Sequence, residues 1–134
     1  MANKVSIRVG QVLFHGGQEA ENGITRAIDA AVLVGDLVTS DPAIQNKVVR
    51  GAVGAYPIGV VEVIEKDGLG TVQSFENVQV IPLTGAVILG VAGLTGNGDG
   101  TGKLVAAGTA GSLTVDVLGT QVINAVTYVA LYRL

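Results

Sequence analysis

The sequence predicts an all-β protein: a small β-barrel or sandwich of short strands joined by Gly-rich turns, with at most one short helix. Two observations predict it. Short runs rich in β-branched residues alternate with turn-forming clusters, and 20 glycines are spread over 134 residues. β-branched side chains favour strands, whereas glycine, asparagine, aspartate and proline favour the turns between them. At this length we expect one domain.

Residues 1–17 are predicted to form an N-terminal arm or first strand, and residues 18–134 a single β domain. Val5, Ile7 and Val9 alternate with polar residues, as in a half-buried strand. Residues 11–14 are expected to extend this strand until His15-Gly16-Gly17 interrupts it. The polar residues 18–23 are typical of an exposed loop.

Residues 24–34 fit two patterns. Four apolar residues have the spacing of an amphipathic helix, namely Ile24, Ala27, Ile28 and Ala31. The first six positions also alternate as in a strand. Because no Glu or Gln follows Asn22 at capping-box distance, the strand is favoured.

The middle of the chain, residues 30–65, alternates turn signals with strands. Gly35-Asp36 and Ser40-Asp41-Pro42 are turn formers, since glycine accepts positive φ, aspartate bonds its own backbone and proline presets φ. The β-branched runs around them predict strands. Asp67-Gly68 then gives a strong hairpin signal.

The second half contains two glycine-bounded stretches. Residues 86–91 are continuously apolar, which predicts a strand buried on both faces. The glycine-rich residues 93–102 predict a mobile surface loop. Further strands are expected over residues 103–106, 113–118 and 122–134.

Two stretches, residues 41–52 and 99–110, share a turn followed by a Lys-Val-Val or Lys-Leu-Val strand. Internal duplication would produce this similarity. Independent use of the same turn and strand patterns would also produce it, and is favoured here.

Residues suited to catalysis are scattered. His15 is the only histidine, and it adjoins two glycines near the N terminus, where orienting partners are scarce. The spacing of the glutamates does not bring any two together in a cleft. We therefore assign no catalytic residue and no cofactor, and we do not expect an enzyme.

The glycine-rich loop partly matches two ion-binding motifs. It lacks two required positions of a phosphate-binding P-loop. Asn97, Asp99 and Thr101 occupy the first, third and fifth positions of a calcium loop, but the twelfth is Gly108, which offers no carboxylate. A plain turn is favoured and no metal is expected, with Asn97, Asp99 and Thr101 as the weaker calcium alternative.

The composition points to a protein partner. Hydrophobic residues make up 49% and charged residues 14%, below the roughly one quarter charged that is usual. Part of the apolar surface is expected to be covered by a partner or by other copies, unless small residues alone raise the mean hydropathy of +0.54. The net charge of −3 and the scattered cations disfavour nucleic acid.

Neither a signal-peptide core nor a membrane-spanning apolar run is found, so we expect neither export nor a membrane partner. The chain has no cysteine, so we expect stability to come from packing and assembly.

Three motifs resemble the small capsid decoration, or cement, proteins of tailed bacteriophages: Gly35-Asp36-Leu37-Val38, Lys47-Val48-Val49-Arg50 and Ile58-Gly59-Val60-Val61. The resemblance implies a viral structural protein that binds the outer surface of a phage capsid as a homo-oligomer and stabilises it. The implied partners are the major capsid protein and the chain itself, in a trimer. The implied localisation is the virion, on the outer capsid surface, after synthesis in the host cytoplasm.

The arm and the apolar run over residues 86–94 are the candidate contact surfaces. The interface candidates are Val5, Ile7, Val9, Phe14, Val87, Ile88, Leu89 and Leu94. The alternative function is a small β-barrel ligand- or carbohydrate-binding module without catalysis. That alternative predicts a cleft with several aromatic residues, which make up only 4% of this chain.

Overall fold

A computed structural model describes residues 5–15 and 23–134, and it confirms the predicted all-β class. The described residues form twelve strands and no helix. The strands are β1 (Ser6–Val9), β2 (Val12–His15), β3 (Gly23–Ile28), β4 (Leu37–Ser40), β5 (Lys47–Arg50), β6 (Gly59–Ile64), β7 (Leu69–Gln73), β8 (Gln79–Leu83), β9 (Gly90–Gly96), β10 (Gly102–Val105), β11 (Leu113–Ile123) and β12 (Val126–Arg133). They assemble into one two-stranded sheet and two closed five-stranded barrels.

The two barrels have the same topology. The first barrel closes in the order β3-β5-β4-β6-β7, and the second in the order β8-β10-β9-β11-β12. In each, the first and third strands pair in parallel, and the remaining pairs are antiparallel. The predicted domain over residues 18–134 therefore contains a five-strand unit that occurs twice in succession.

The two similar stretches of sequence lie at equivalent places in this repeat. Their Lys-Val-Val and Lys-Leu-Val segments form β5 and β10, the third strand of each barrel. Each pairs antiparallel with the strand before it and parallel with the first strand of its barrel. This equivalence favours internal duplication, which the sequence alone ranked second.

One hydrophobic core connects the barrels. The interior of the second barrel includes Ile81, Leu94 and Leu131, and Leu37 of β4 and Val60 of β6 belong to the same buried cluster. Burial of a leucine side chain contributes roughly 1.5–3 kcal/mol. The first barrel thus supplies part of the core of the second. A smaller cluster within the first barrel consists of Ile28, Val32, Val38, Val48, Val61 and Val72.

The N-terminal strands β1 and β2 form an antiparallel hairpin. The sequence predicted that residues 11–14 extend the first strand, but Gly10 has a φ of 58° and the chain reverses there. The hairpin packs against the outside of the second barrel, where Ile7 is fully buried against Val80 and Ala130. The remainder of the predicted arm, and most of the loop predicted over residues 18–23, lie outside the described residues.

The predicted turns in the first barrel are confirmed. Gly35 and Gly68 have φ values of 94° and 83°. The Asp41 carboxylate accepts a hydrogen bond from the amide of Ala43 at 2.9 Å, and Asp67 accepts one from Leu69 at 3.0 Å. The strand predicted from residue 24 is also confirmed, although it ends at Ile28 rather than continuing to residue 34.

Two predictions for the second half are wrong in part. Residues 84–89 form a loop rather than a buried strand, because Gly85 and Gly90 have φ values of 91° and 77° and redirect the chain. Half of the glycine-rich segment is strand, since β9 extends to Gly96 and β10 begins at Gly102. Only residues 97–101 remain as the turn between them.

Candidate functional site

A cleft of about 330 Å³ opens where the two barrels meet. Its walls come from the β3–β4 connection, the end of β5, the turn between β9 and β10, and strands β8 and β12. The volume is at the lower end of the range of about 300–1,000 Å³ that is usual for ligand sites.

A partly buried ion pair forms one side of this inter-barrel cleft. Asp36 is 7% exposed, and its Oδ2 accepts a hydrogen bond from Arg50 Nε at 2.7 Å and another from the amide of Leu33 at 2.8 Å. A guanidinium held through Nε keeps its terminal nitrogens available as donors. The Arg50 side chain is 30% exposed, so those donors can reach a ligand in the cleft.

Gly100 lies against this ion pair. Its carbonyl accepts a hydrogen bond from the amide of Leu37 at 2.9 Å, which joins the turn between β9 and β10 to the first barrel. Gly100 has a φ of 90°, and a Cβ at this position would collide with the Asp36 carboxylate. Glycine therefore allows the turn to close over Asp36.

A chain of hydrogen bonds fixes Asp99 at the edge of the cleft. Asp99 Oδ1 accepts from the Thr101 amide at 3.0 Å and from Thr101 Oγ1 at 2.6 Å. The Thr84 and Thr101 hydroxyl oxygens are 2.7 Å apart. Since Thr101 donates its proton to Asp99, Thr84 is the donor in that pair.

Thr101 also sets the charge of Asp99. Its side-chain and backbone hydrogen bonds lower the pKa of the Asp99 carboxyl below the ordinary value, because they favour the charged form. Asp99 is therefore an anion at neutral pH. Oδ1 accepts these bonds, which leaves the lone pairs of Oδ2 with capacity to accept more.

Apolar side chains complete the cleft. Leu33 is 56% exposed and Val126 is 39% exposed. Pro82 and Tyr128 are cross-strand partners on β8 and β12, and both line the cleft. The site thus combines one aromatic ring and aliphatic surface with fixed charges of both signs.

Within the turn over residues 97–101, Asp99 is the only carboxylate that could bind calcium. Asn97 Nδ2 and Thr101 Oγ1 both donate to Asp99 Oδ1, so these side chains organise the turn among themselves. Over residues 5–15 and 23–134, no group of three or more His, Cys, Asp or Glu side chains is close enough to hold a metal ion.

A second, smaller cleft of about 210 Å³ lies elsewhere between the barrels, beside Tyr56, Phe75 and Arg133. Ser74 Oγ, on its wall, is buried and has no hydrogen-bond partner among the described residues. Arg133 is exposed. This second cleft lacks the fixed charge pair that defines the first.

The structure separates the interface candidates into four groups. Ile7 and Leu94 are fully buried inside the chain, so they present no surface to a partner. Val5, Val9 and Phe14 pack against the hairpin cluster, which is formed by the buried residues Ile7, Val80 and Ala130. Ile88 packs against the shared core. Val87 and Leu89 are exposed, by 43% and 67%, and Val91 beyond them by 56%.

Of the other residues considered for chemistry, His15 ends β2, opposite Ser6. Glu62 contacts Gln73, which is buried and belongs to β7. Glu65 and Glu76 are exposed. None of these three glutamates lines either of the two clefts described above.

Comparison with known proteins gives no assignment. No protein-family model matches the chain, and no curated protein matches it significantly. The described residues also contain no helix that is long and apolar enough to cross a membrane.

The sequence did not predict that Asp36, Arg50 and Tyr128 line the same cleft. Asp36 and Arg50 stand in two of the motifs that carry the phage resemblance, and the structure pairs them across 14 positions. The signal available was two opposite charges in an otherwise apolar stretch. Nothing in the spacing of Tyr128 connects it with either residue.

Proposed function

We propose that this protein is a capsid decoration protein, which binds the outer surface of a tailed-phage capsid in many copies and reinforces it. The observation that carries the proposal is the loop over residues 84–89, whose apolar side chains Val87 and Leu89 are exposed together with the adjacent Val91. Exposed apolar segments of this kind mark contact surfaces between proteins. The identity of the partner rests on the resemblance of the three motifs.

The proposed mechanism is mechanical. Each copy buries apolar surface against neighbouring capsid subunits, at about 25 cal/mol per Å². Because many identical copies attach to one shell, their contributions combine and oppose outward pressure. A symmetric homo-oligomer, with the trimer as the expected state, would match the repeated surface of such a shell.

Co-sedimentation with DNA-free capsids of the phage that encodes the chain tests the proposal. Leu89→Asp should weaken binding at least tenfold, because it replaces about 1.5–3 kcal/mol of apolar burial with a charge that must be desolvated. Ile44→Asp is the matched control, since Ile44 is also exposed, by 50%, but lies in the first barrel. Equal binding by wild type and Leu89→Asp, or no binding by wild type, would contradict the proposal.

A further inference from the structure

We propose that the inter-barrel cleft is a binding site for a neutral, polyhydroxylated ring, that is, a sugar, either free or at the end of a glycan. The proposal goes beyond capsid attachment and does not depend on it. It rests on the arrangement of Arg50, Asp99 and Tyr128 around one cavity.

The first argument is that the cleft offers donors and acceptors already held in place. Arg50 is fixed by its bond to the buried Asp36, and its terminal nitrogens form no hydrogen bond with the described residues. Asp99 is fixed by Thr101, which leaves Oδ2 to accept. A ring with neighbouring hydroxyls both donates and accepts, so it can satisfy both groups at once. Preorganised partners lose little freedom on binding.

The second argument is the balance of charge. Asp36 and Arg50 neutralise each other at 2.7 Å, so Arg50 attracts an anion only weakly. A negatively charged ligand would also meet Asp99, and a positively charged ligand would meet the guanidinium. A neutral ligand can bond with Arg50 and Asp99 through its hydroxyl groups without bringing a further charge out of water.

The third argument is the apolar side of the cleft. A sugar ring has a C–H face as well as hydroxyl groups. Leu33 and Val126 leave aliphatic surface exposed, and Pro82 and Tyr128 form a continuous cross-strand pair beside it. Sites for small molecules generally combine such a wall with a few placed polar groups.

The test is titration of the ¹⁵N-labelled full chain with methyl β-D-glucopyranoside, methyl β-D-galactopyranoside and N-acetyl-D-glucosamine. We expect at least one to shift the amides of Leu33, Gly100 and Thr101, with a Kd on the order of 1 mM for a ligand of this size. The amides of Gly54 and Gly108, which do not line the cleft, should not shift. No shift of the cleft amides at 50 mM of any of the three would overturn the proposal.

Two variants on β12 make the test specific. Tyr128→Leu removes the ring but keeps apolar contact with the hairpin cluster, and it should weaken binding at least fivefold. Tyr132→Leu is the matched control, because Tyr132 contacts Asp116 and lies outside the cleft, and it should bind as wild type does. Equal loss in both variants, or no loss in Tyr128→Leu, would contradict the proposal.

Other ligands separate the remaining possibilities. Binding of L-leucine in place of the sugars would show a zwitterion site and overturn the proposal, as would equal binding of glycerol, which lacks a ring.

The trisaccharide of the best-binding sugar identifies the source: affinity equal to that of the methyl glycoside indicates a free sugar, and tenfold tighter binding indicates a glycan. Capsid co-sedimentation is measured separately, so either proposal can fail without the other.

Discussion

Two residues other than glycine adopt the left-handed backbone conformation within one turn of this protein. Asn124 and Ala125, at the turn between β11 and β12, have φ values of 50° and 65°. A two-residue hairpin turn of this kind needs positive φ at both positions, which asparagine tolerates and glycine adopts freely. Alanine in the left-handed region is disfavoured by about 1–2 kcal/mol, so the second turn position is strained.

Replacing this alanine should stabilise the fold. We expect Ala125→Gly to raise the free energy of unfolding by about 0.5–1 kcal/mol, after allowance for the greater freedom of glycine in the unfolded chain. This corresponds to an increase in Tm of about 2–4 °C, measurable by calorimetry. Ala107→Gly is the control: Ala107 is also exposed but has no positive φ, so its replacement should lower Tm. A fall in Tm for both variants would refute the account of strain.

At the scale of elements, the β1–β2 hairpin is attached to the second barrel by the fit of its side chains. An isolated hairpin of this length is marginal in water. Val9 packs where Gly119 has no side chain, and a Cβ there would collide with both Val9 γ-carbons. The amide of Arg8 also donates to Gln121 Oε1 at 2.8 Å. The position of the hairpin thus depends on the absence of one methyl group in β11.

A double-mutant cycle tests this fit. Gly119→Ala should cost about 1–3 kcal/mol through overpacking, and Val9→Ala should make room for the new methyl group. The two changes are therefore expected to be non-additive by at least 1 kcal/mol in urea unfolding. Val12→Ala is the matched control for Val9→Ala in the cycle, because Val12 is on the same hairpin but 54% exposed. Additive costs with Val9→Ala would contradict the contact.

Elements were predicted well wherever the pattern was local. Alternation located β1, β11 and β12, and Asp67-Gly68 located the hairpin between β6 and β7. The prediction of a buried strand at residues 86–91 was wrong, because a continuous apolar run has no alternation to show which side chains face solvent. Its exposure depends on the positive φ values of the flanking Gly85 and Gly90, which sequence permits but does not require.

At the scale of the whole molecule, the first barrel completes the core of the second. Leu37 is 1% exposed and belongs to the cluster that fills the second barrel. A Cβ placed on Gly102 of β10 would be only 3.7 Å from Leu37 Cδ2. Unfolding of the first barrel would expose this core, so the two barrels are expected to unfold together.

Leu37→Ala tests that coupling. The substitution should cost about 2–5 kcal/mol by leaving a cavity. Because Leu37 belongs to β4 but packs in the second barrel, amides of β9 and β11 should lose hydrogen-exchange protection at least tenfold. Ile44→Ala, at an exposed position of the first barrel, should leave protection unchanged. If only amides of the first barrel lose protection, the shared core does not couple the barrels.

The inter-barrel cleft also belongs to this scale, which explains why sequence did not predict it. Arg50 is 14 positions from Asp36, and Tyr128 is a further 78 positions along the chain. Their proximity depends on how two closed barrels are placed against each other. Local periodicity predicts strands and turns, but it contains no information about that placement.

The repeated topology has a consequence for folding. Two barrels built alike offer each strand two similar places, and β5 and β10 resemble each other in sequence as well. In the parallel contacts, Val48 pairs with Ile28 in the first barrel as Gly102 pairs with Leu83 in the second. A Cβ at Gly102 would stand 2.9 Å from Leu94 Cδ1 and 3.0 Å from Ile81 Cδ1, so a strand with a side chain at this position would have to displace the ends of those two side chains. We therefore expect the glycine at position 102 to disfavour strand exchange between the halves during refolding, the error to which tandem units are prone.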